Sequence, residues 1–255
     1  MPASLQLSAL PGIPLVAPGD DLPALIDASL RQSGLSLRAG DVVVVAQKVV
    51  SKAENRFVDL AAVEPSPRAL ALAHEIAKDP RLVELILRES RRIVRARPGL
   101  LIVEHRLGFV MANAGVDQSN VGPQQRGQRV LLLPADPDAS AARLRERLMM
   151  QHACDVAVIV SDSFGRAWRR GTIGTALGVA GMPALVDLRG QPDLFGRAMK
   201  VSTVALADQV ASAAALLMGE AAEAAPVVLV RGLEWSQPPA PAQALVRTAE
   251  EDLFR

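Results

Sequence analysis

The sequence predicts an α+β fold, with mixed or antiparallel sheets and flanking helices, and three observations carry that expectation. Two segments, "DPRLVELILRES" and "ADPDASAARLRERLMMQHA", open on an Asp-Pro pair, a capping carboxylate followed by a first-turn proline, and run on with helical spacing. Between them lie three short strand-like runs, "RRIVRA", "LLIVEH" and "GFVMA", with Pro98-Gly99 and Leu107-Gly108 at the turns, which reads as a meander. Elsewhere "DVVVVAQKVV", "DVAVIVSD" and "APVVLVRG" are apolar, β-branched runs of buried-strand character. Neither a clean βαβ alternation nor the even spacing of an all-β chain emerges.

From the N-terminus, "LPGIPLV" places Gly12 between Pro11 and Pro14, a rigid turn that could bring bare backbone to a ligand and taken alone is merely a turn. Asp41 to Val50 reads as one buried strand, too short for a helix. Ser66 to Lys78 reads as a helix, and the next opens with Asp79 as its cap and Pro80 in its first turn. After the meander comes the second Asp-Pro helix, then the strand ending at Asp162. Thr203 to Gly219 reads as an Ala-rich amphipathic helix closed by a glycine, followed by the last strand. "SQPPAPAQ" after Trp235 breaks the pattern. Residues 1–235 therefore read as one unit, of one body or two intimate lobes, and 236–255 as a peripheral tail with a short last helix.

The chain's 255 residues suffice for a large core, half of them are hydrophobic, and with 3% aromatics and no Tyr that core must be aliphatic. A net charge of +1, from 28 basic and 27 acidic residues, excludes bulk attraction to nucleic acid or a membrane surface. Sparse aromatics argue against base-stacking on single strands. Cys154 is the sole cysteine, so no internal disulfide or zinc pattern is available. The N-terminal segment lacks the basic and apolar regions of a signal peptide, and no run approaches the roughly 20 apolar residues of a membrane span. A cytoplasmic protein is the expectation.

Chemistry concentrates in four places. Only Lys48, Lys52, Lys78 and Lys200 are lysines, and two of them fall in "QKVVSK", either as compact charges for phosphate or as ordinary strand-edge lysines; alone, this stretch favours the latter. In "ANAGVDQSN", Asp117 lies between Asn113 and Asn120 where a strand ends: a polar cap, or a place where a metal meets a nucleotide. In "SDSFGRAWRRG", Asp162 and Ser163 arrive at the end of an apolar strand and can supply hard oxygen ligands, with Arg166, Arg169 and Arg170 close by; a Ser/Asp turn with surface arginines is the bland alternative. Glu220 and Glu223 follow the helix end at Gly219, where isolated carboxylates are most often solvated. No P-loop and no dinucleotide-binding glycine pattern is present; Gly174, Gly178 and Gly181 lack that spacing and suit close helix packing. His74, His105 and His152 are scattered and suggest no nucleophilic dyad.

Together, "LPGIPLV", "VSKAENR", "ANAGVDQSN", "SDSFGRAWRRG" and "LLMGEAAEAAPVVLVRG" occur in an order that resembles the coenzyme F420:L-glutamate ligase (F420 γ-glutamyl ligase) family, from about Leu10 to Trp235. The resemblance implies an enzyme that joins L-glutamate to the lactyl carboxylate of a deazaflavin precursor and then extends a γ-linked tail, driven by GTP. It implies Mg²⁺ or Mn²⁺, two per site, with K⁺ as a further cation. Metal ligands would be Asp117, Asp162, Ser163 and Glu220, and Lys52, Asp117 and Asp162 the catalytic residues. Nucleotide contacts would come from Gly12, Ile13, Pro14, Leu15, Gln47, Lys48, Lys52 and Asn120, and from Met218, Gly219, Glu220, Ala221, Ala222, Glu223, Ala224 and Ala225. The resemblance also implies an intertwined homodimer and a stand-alone ligase without the flavin-binding domain fused in some relatives. Asn55 stands where that family usually has glycine, Ser163 replaces the commoner threonine, and Ala222 and Ala224 replace what is often Asp and Gly. Two other readings compete: a ligase of the same fold with a different amino acid or acceptor, and a non-catalytic nucleotide-binding regulator.

Overall fold

The computed structural model describes residues 4–121 and 129–253; of the expected tail, Phe254 and Arg255 lie outside the described residues. In chain order the strands are β1 Gln6–Ala9, β2 Val42–Ala46, β3 Phe57–Asp59, β4 Ser90–Arg97, β5 Leu100–His105, β6 Val110–Ala112, β7 Arg129–Leu131, β8 Ala157–Gly165, β9 Thr172–Ala180, β10 Val186–Asp187, β11 Thr203–Val204 and β12 Val227–Arg231. The helices are α1 Leu22–Gln32, α2 Gln47–Ala53, α3 Pro67–Ile76, α4 Pro80–Arg88, α5 Pro137–His152 and α6 Leu206–Met218. The α+β expectation holds. Among the described residues no helix is long and apolar enough to cross a membrane.

One sheet organises the molecule, in the order β1-β12-β2-β8-β9, antiparallel throughout except for the β2–β8 pair. Alternation along β2 sends Val43 and Val45 to one face, with α1 and α5, and Val42 and Val44 to the other, with α6. The first face gathers Ile26, Leu30, Leu144 and Leu148; the second gathers Ala207, Val210, Ala211 and Ala214. Such an aliphatic sandwich is what the scarcity of aromatics demanded.

Residues 57–132 build a second core. Here α3 and α4 pack Ala69, Ala73, Val83 and Ile86 against Leu101 and Val103 of the β4-β5-β6 meander and Val130 of β7. Both Asp-Pro helices begin as expected, with Asp79 and Asp136 accepting backbone N–H groups of their first turns. Joining the two cores, Met111, Leu133 and Leu177 form a small buried cluster. An ionic clip reinforces the join. Glu89, at the end of α4, is 3.0 Å from Arg106 Nε and 3.5 Å from Arg56 Nη2, and Arg56 Nε also donates to the Leu133 carbonyl. Burial pushes the Glu89 carboxyl up, but His105, Arg106 and Arg56 outweigh it and hold it down at about 2.

Two segments depart from expectation. The run from Asp41 was expected to stay strand through Val50; it leaves the sheet at Ala46, whose N–H pairs with the Pro226 carbonyl, and turns straight into α2. Gln47, Val50 and Ser51 recur at helical spacing and are the buried face. The glycine-rich β9 was not expected as a strand. Its glycines are where helices close on it, since a Cβ on Gly174 would run into the Ala211 carbonyl and one on Gly178 into that of Pro137. The segment after Trp235 carries a short 3-10 turn, Ala242–Leu245, and rests on the body: Ala240 N donates to Met182 O, Ala242 is fully buried, and Asp138 accepts the Ala242 N–H.

Two outcomes follow for stability. Gly178→Ala, which forces a methyl against α5 backbone, is expected to lower the unfolding free energy by about 3 kcal/mol, read from the urea midpoint. Because the folded Glu89 carboxyl lies below its unfolded value, its contribution is present above about pH 4.5 and is lost as pH falls towards 2. That contribution is at most roughly 3 kcal/mol. Glu89→Gln should therefore destabilise the protein at pH 7 and flatten its acid limb, measured by urea melts between pH 2 and 7.

Candidate active site

Beyond Ser161, β8 loses its β2 partner and continues with β9 alone as a two-stranded ribbon, Asp162 opposite Thr175 and Ser163 opposite Gly174. Asp162 and Ser163 therefore sit within a strand, not in a turn after it. A bulge at Leu177, between the Val160–Gly178 and Ser161–Ala176 pairs, twists the ribbon at this point. Its base is pinned by α6, whose Ser212 Oγ donates to the Gly174 carbonyl at 2.7 Å.

Four segments meet at that base. On α2, Lys48 and Lys52 are one turn apart on one face, opposite the buried face. Lys48 Nζ lies 2.7 Å from Asp117 Oδ2 and 2.9 Å from Ser119 Oγ; Lys52 Nζ donates to the Asn120 carbonyl at 2.6 Å. Asp117 Oδ1 accepts the Ser119 N–H and hydroxyl, a local turn that aims the carboxylate. From the end of α6, Glu220 Oε2 accepts the Ser163 hydroxyl at 2.7 Å. Asn120 closes the ring, its Nδ2 reaching the Ala221 carbonyl at 3.4 Å.

The electrostatics record this convergence. Burial, then the charges of Asp117 and Glu220, push the Asp162 carboxyl up to about 6, against an opposing pull from Lys48. Burial also disfavours the Asp117 carboxylate, yet Lys48 and Ser119 outweigh it and hold it below the ordinary range. Burial and then repulsion from Lys48 lower the Lys52 ammonium, partly offset by Asp117. Asp117, Asp162, Ser163 and Glu220 are hard oxygen donors of the kind Mg²⁺ and Mn²⁺ take, and the charge crowded on Asp162 fits a cation there. Among the described residues, no three His, Cys, Asp or Glu side chains are grouped closely enough to enclose a metal as they stand. Lys48 occupies one Asp117 oxygen and Ser163 one Glu220 oxygen.

Other expected residues lie nearby in different roles. Gln47 is buried, accepting the Ser51 hydroxyl within α2. Gly12, Ile13, Pro14 and Leu15 form the loop from β1 to α1. Gly12 has φ +76° against Gln32, and Pro11 accepts the Ser29 hydroxyl. Among the described residues no hydrogen bond or ion pair ties that loop to the carboxylates; it meets α2 through Gly19 N and the Ala53 carbonyl. Met218 ends α6 with its sulfur 3.9 Å from Ser161 Oγ, and Gly219 caps the helix at φ +68°. Glu223 folds back to accept the Ala221 N–H, shaping the loop that carries Ala222, Ala224 and Ala225. Ala224 takes φ +53° and Asn55 φ +54°. Asn55 thus keeps the left-handed turn usually made by glycine in the resembled family. Ser119 was missed, although Asp-x-Ser is a turn spacing readable in the sequence.

A family model described as F420-0:Gamma-glutamyl ligase matches residues 12–232 of this chain. Among curated proteins it is similar to the coenzyme F420:L-glutamate ligase of Methanopyrus kandleri, 46% identical over 99% of this chain and 98% of the relative. The protein of that name from Methanothermobacter thermautotrophicus is 42% identical over 98% and 99%, and that from Halorubrum lacusprofundi 44% over 91% and 88%. The matched span runs from the glycine of the first loop to the end of β12 and includes every segment that meets at the ribbon base. The chain belongs to the F420-0:gamma-glutamyl ligase family.

Proposed function

We propose that this protein is a GTP-dependent amide ligase that adds L-glutamate to the glutamate-free deazaflavin precursor and extends the product through γ-linkages. The observation that carries the reading is the meeting of three carboxylates, one hydroxyl and two lysines, drawn from four separated segments, at the base of one ribbon. The relatives' shared name supports the glutamate and coenzyme part of it. A carboxylate is a poor electrophile for an amine at neutral pH. The nucleotide's terminal phosphoryl group therefore passes to the acceptor carboxylate, giving an acyl phosphate, and the glutamate amine displaces phosphate from it.

Phosphoryl transfer asks a protein for positioning and charge neutralisation. Asp117, Asp162, Ser163 and Glu220 would hold the divalent cation, Mg²⁺ or Mn²⁺, which supplies part of that neutralisation; a second metal and K⁺ belong to the same proposal. Lys48 and Lys52 present two ammonium groups on one helix face, suited to phosphate oxygens. Lys52 is disfavoured as a cation, being partly buried beside another lysine, so an anionic ligand relieves it. The Met218–Ala225 loop offers backbone N–H groups beside Asn120, and with Gly12–Leu15 and Gln47 makes the rest of the nucleotide site. A cytoplasmic homodimer completes the reading. Leu194 and Phe195, exposed at the tip of the arm between β10 and β11, with exposed Val201 nearer its base, are apolar surface that supports it.

Purified protein incubated with GTP, Mn²⁺, L-glutamate and the deazaflavin precursor is expected to yield products heavier by successive glutamates. Nucleotide binding without any mass increase, under every metal condition, would favour the regulatory reading instead. Asp117→Asn is expected to cut turnover at least about a hundredfold while leaving the circular dichroism spectrum and melting cooperativity unchanged. Wild-type turnover in that variant removes Asp117 from the site.

A further inference from the structure

The tip of the β8–β9 ribbon carries a feature that the carboxylates at its base do not use. The chain has 2 Trp, 5 Phe and no Tyr, and among the described residues Trp168 and Phe195 are the aromatic rings left in water. Trp235 packs against the α6 side of the sheet, whereas Trp168, at the ribbon tip, is 87% exposed. Trp168 also holds φ +67°, a left-handed backbone that a bulky side chain adopts only under strain.

Arg166, Arg169 and Arg170 flank the ring. Arg166 Nη1 donates to the Gly171 carbonyl at 3.3 Å, closing the turn, and none of the three is paired with a carboxylate among the described residues. In the 57–132 lobe, by contrast, Glu84, Glu89 and Glu104 take up Arg88, Arg106 and Arg92. An exposed indole face among uncommitted guanidinium groups suits a flat aromatic ring with negative charge on or near it. Indole supplies the stacking surface, and guanidinium both stacks and pairs with anions.

The ribbon also sets a distance. Its base is fixed by Gly174 against α6, and each strand residue advances about 3.3 Å. Trp168 therefore lies roughly 13–20 Å beyond Asp162. A ligand that touches both ends must be elongated, with a ring at one end and its reacting group at the other. We infer that Trp168, with Arg166, Arg169 and Arg170, is the docking point for the ring of the acceptor, whose far carboxylate is thereby delivered to Asp162 and Ser163. This rests on the ligase reading above and adds to it the place of the acceptor and a selection for its length.

The test measures ring binding and ligation separately, in the full-length protein. Fluorescence anisotropy of the glutamate-free deazaflavin precursor, without nucleotide, reports binding alone. Trp168→Ala is expected to weaken that binding and to raise the acceptor KM by about tenfold, the scale of losing one stacking face. The KM values for GTP and glutamate should not move, and Trp168→Phe should recover most of the loss. The paired change Arg169→Ala with Arg170→Ala should raise the acceptor KM and weaken its dependence on salt. Unchanged acceptor affinity in Trp168→Ala overturns the inference. So does a loss confined to kcat, or a shift in oligomeric state that makes the tip a contact between copies. If the wild type binds the ring but adds no glutamate, the ligase reading falls while the contrast between wild type and Trp168→Ala still decides the role of the tip. Absence of ring binding by the wild type overturns both.

Discussion

The crowding around Asp162, whose anionic form burial and then the charges of Asp117 and Glu220 disfavour, is the constraint on which the arrangement at the ribbon base depends. A fold left to minimise its own energy would keep such groups apart in water. Here Asp162 is half-buried at the base of the ribbon, and the other two carboxylates are delivered to it from different directions. The opposing charge is supplied chiefly by Lys48, which grips Asp117 directly, with Lys52 one turn away holding the loop behind it. Because Asp117 belongs to the 57–132 lobe and Lys48 to α2, which follows directly from the sheet strand β2, this ion pair is also a joint. The Glu89 clip with Arg56 and Arg106, and the cluster of Met111, Leu133 and Leu177, keep the two bodies close enough for the joint to form.

The loop after α6 shows how the site tolerates changed residues. Ala224 adopts a left-handed φ, a conformation disfavoured by about 1 kcal/mol or more for a residue with a Cβ. Glu223 offsets part of that by accepting the Ala221 N–H, and Asn120 donates to the carbonyl of the same residue. Ser163 keeps the hydroxyl that meets Glu220. The shape of the turn is therefore maintained by hydrogen bonds on both sides of it, not by the conformational freedom of a glycine.

Much of this was legible because it rests on local rules. The Asp79-Pro80 and Asp136-Pro137 starts and the antiparallel meander needed only capping chemistry and periodicity. What stayed hidden was decided by partners distant in sequence. In β9, Gly174 and Gly178 argue against a strand until α6 and α5 are seen lying on them. The valines at 49 and 50 look like more of β2, yet pairing stops at Ala46 and the helical recurrence of Gln47, Val50 and Ser51 takes over. For the site, residue types and their order sufficed to nominate Asp117, Asp162, Ser163 and Glu220. Sequence could not reveal that Lys48 lies on Asp117, or that Gln47 turns inward while Lys48 turns out, because both depend on which face of α2 is buried.

The order β1-β12-β2-β8-β9 has a consequence for biogenesis. The most apolar strand, β2, emerges from the ribosome early, but its two neighbours are Ala157–Ser161 and Val227–Val230. Until both are made, four consecutive valines carry unpaired backbone edges, the kind of template that recruits other nascent chains. Meanwhile most of the 57–132 lobe can close on itself through local helix and hairpin contacts. Synthesis thus makes the lobe's local contacts before the sheet's, and leaves the valine strand without its partners for the interval between them.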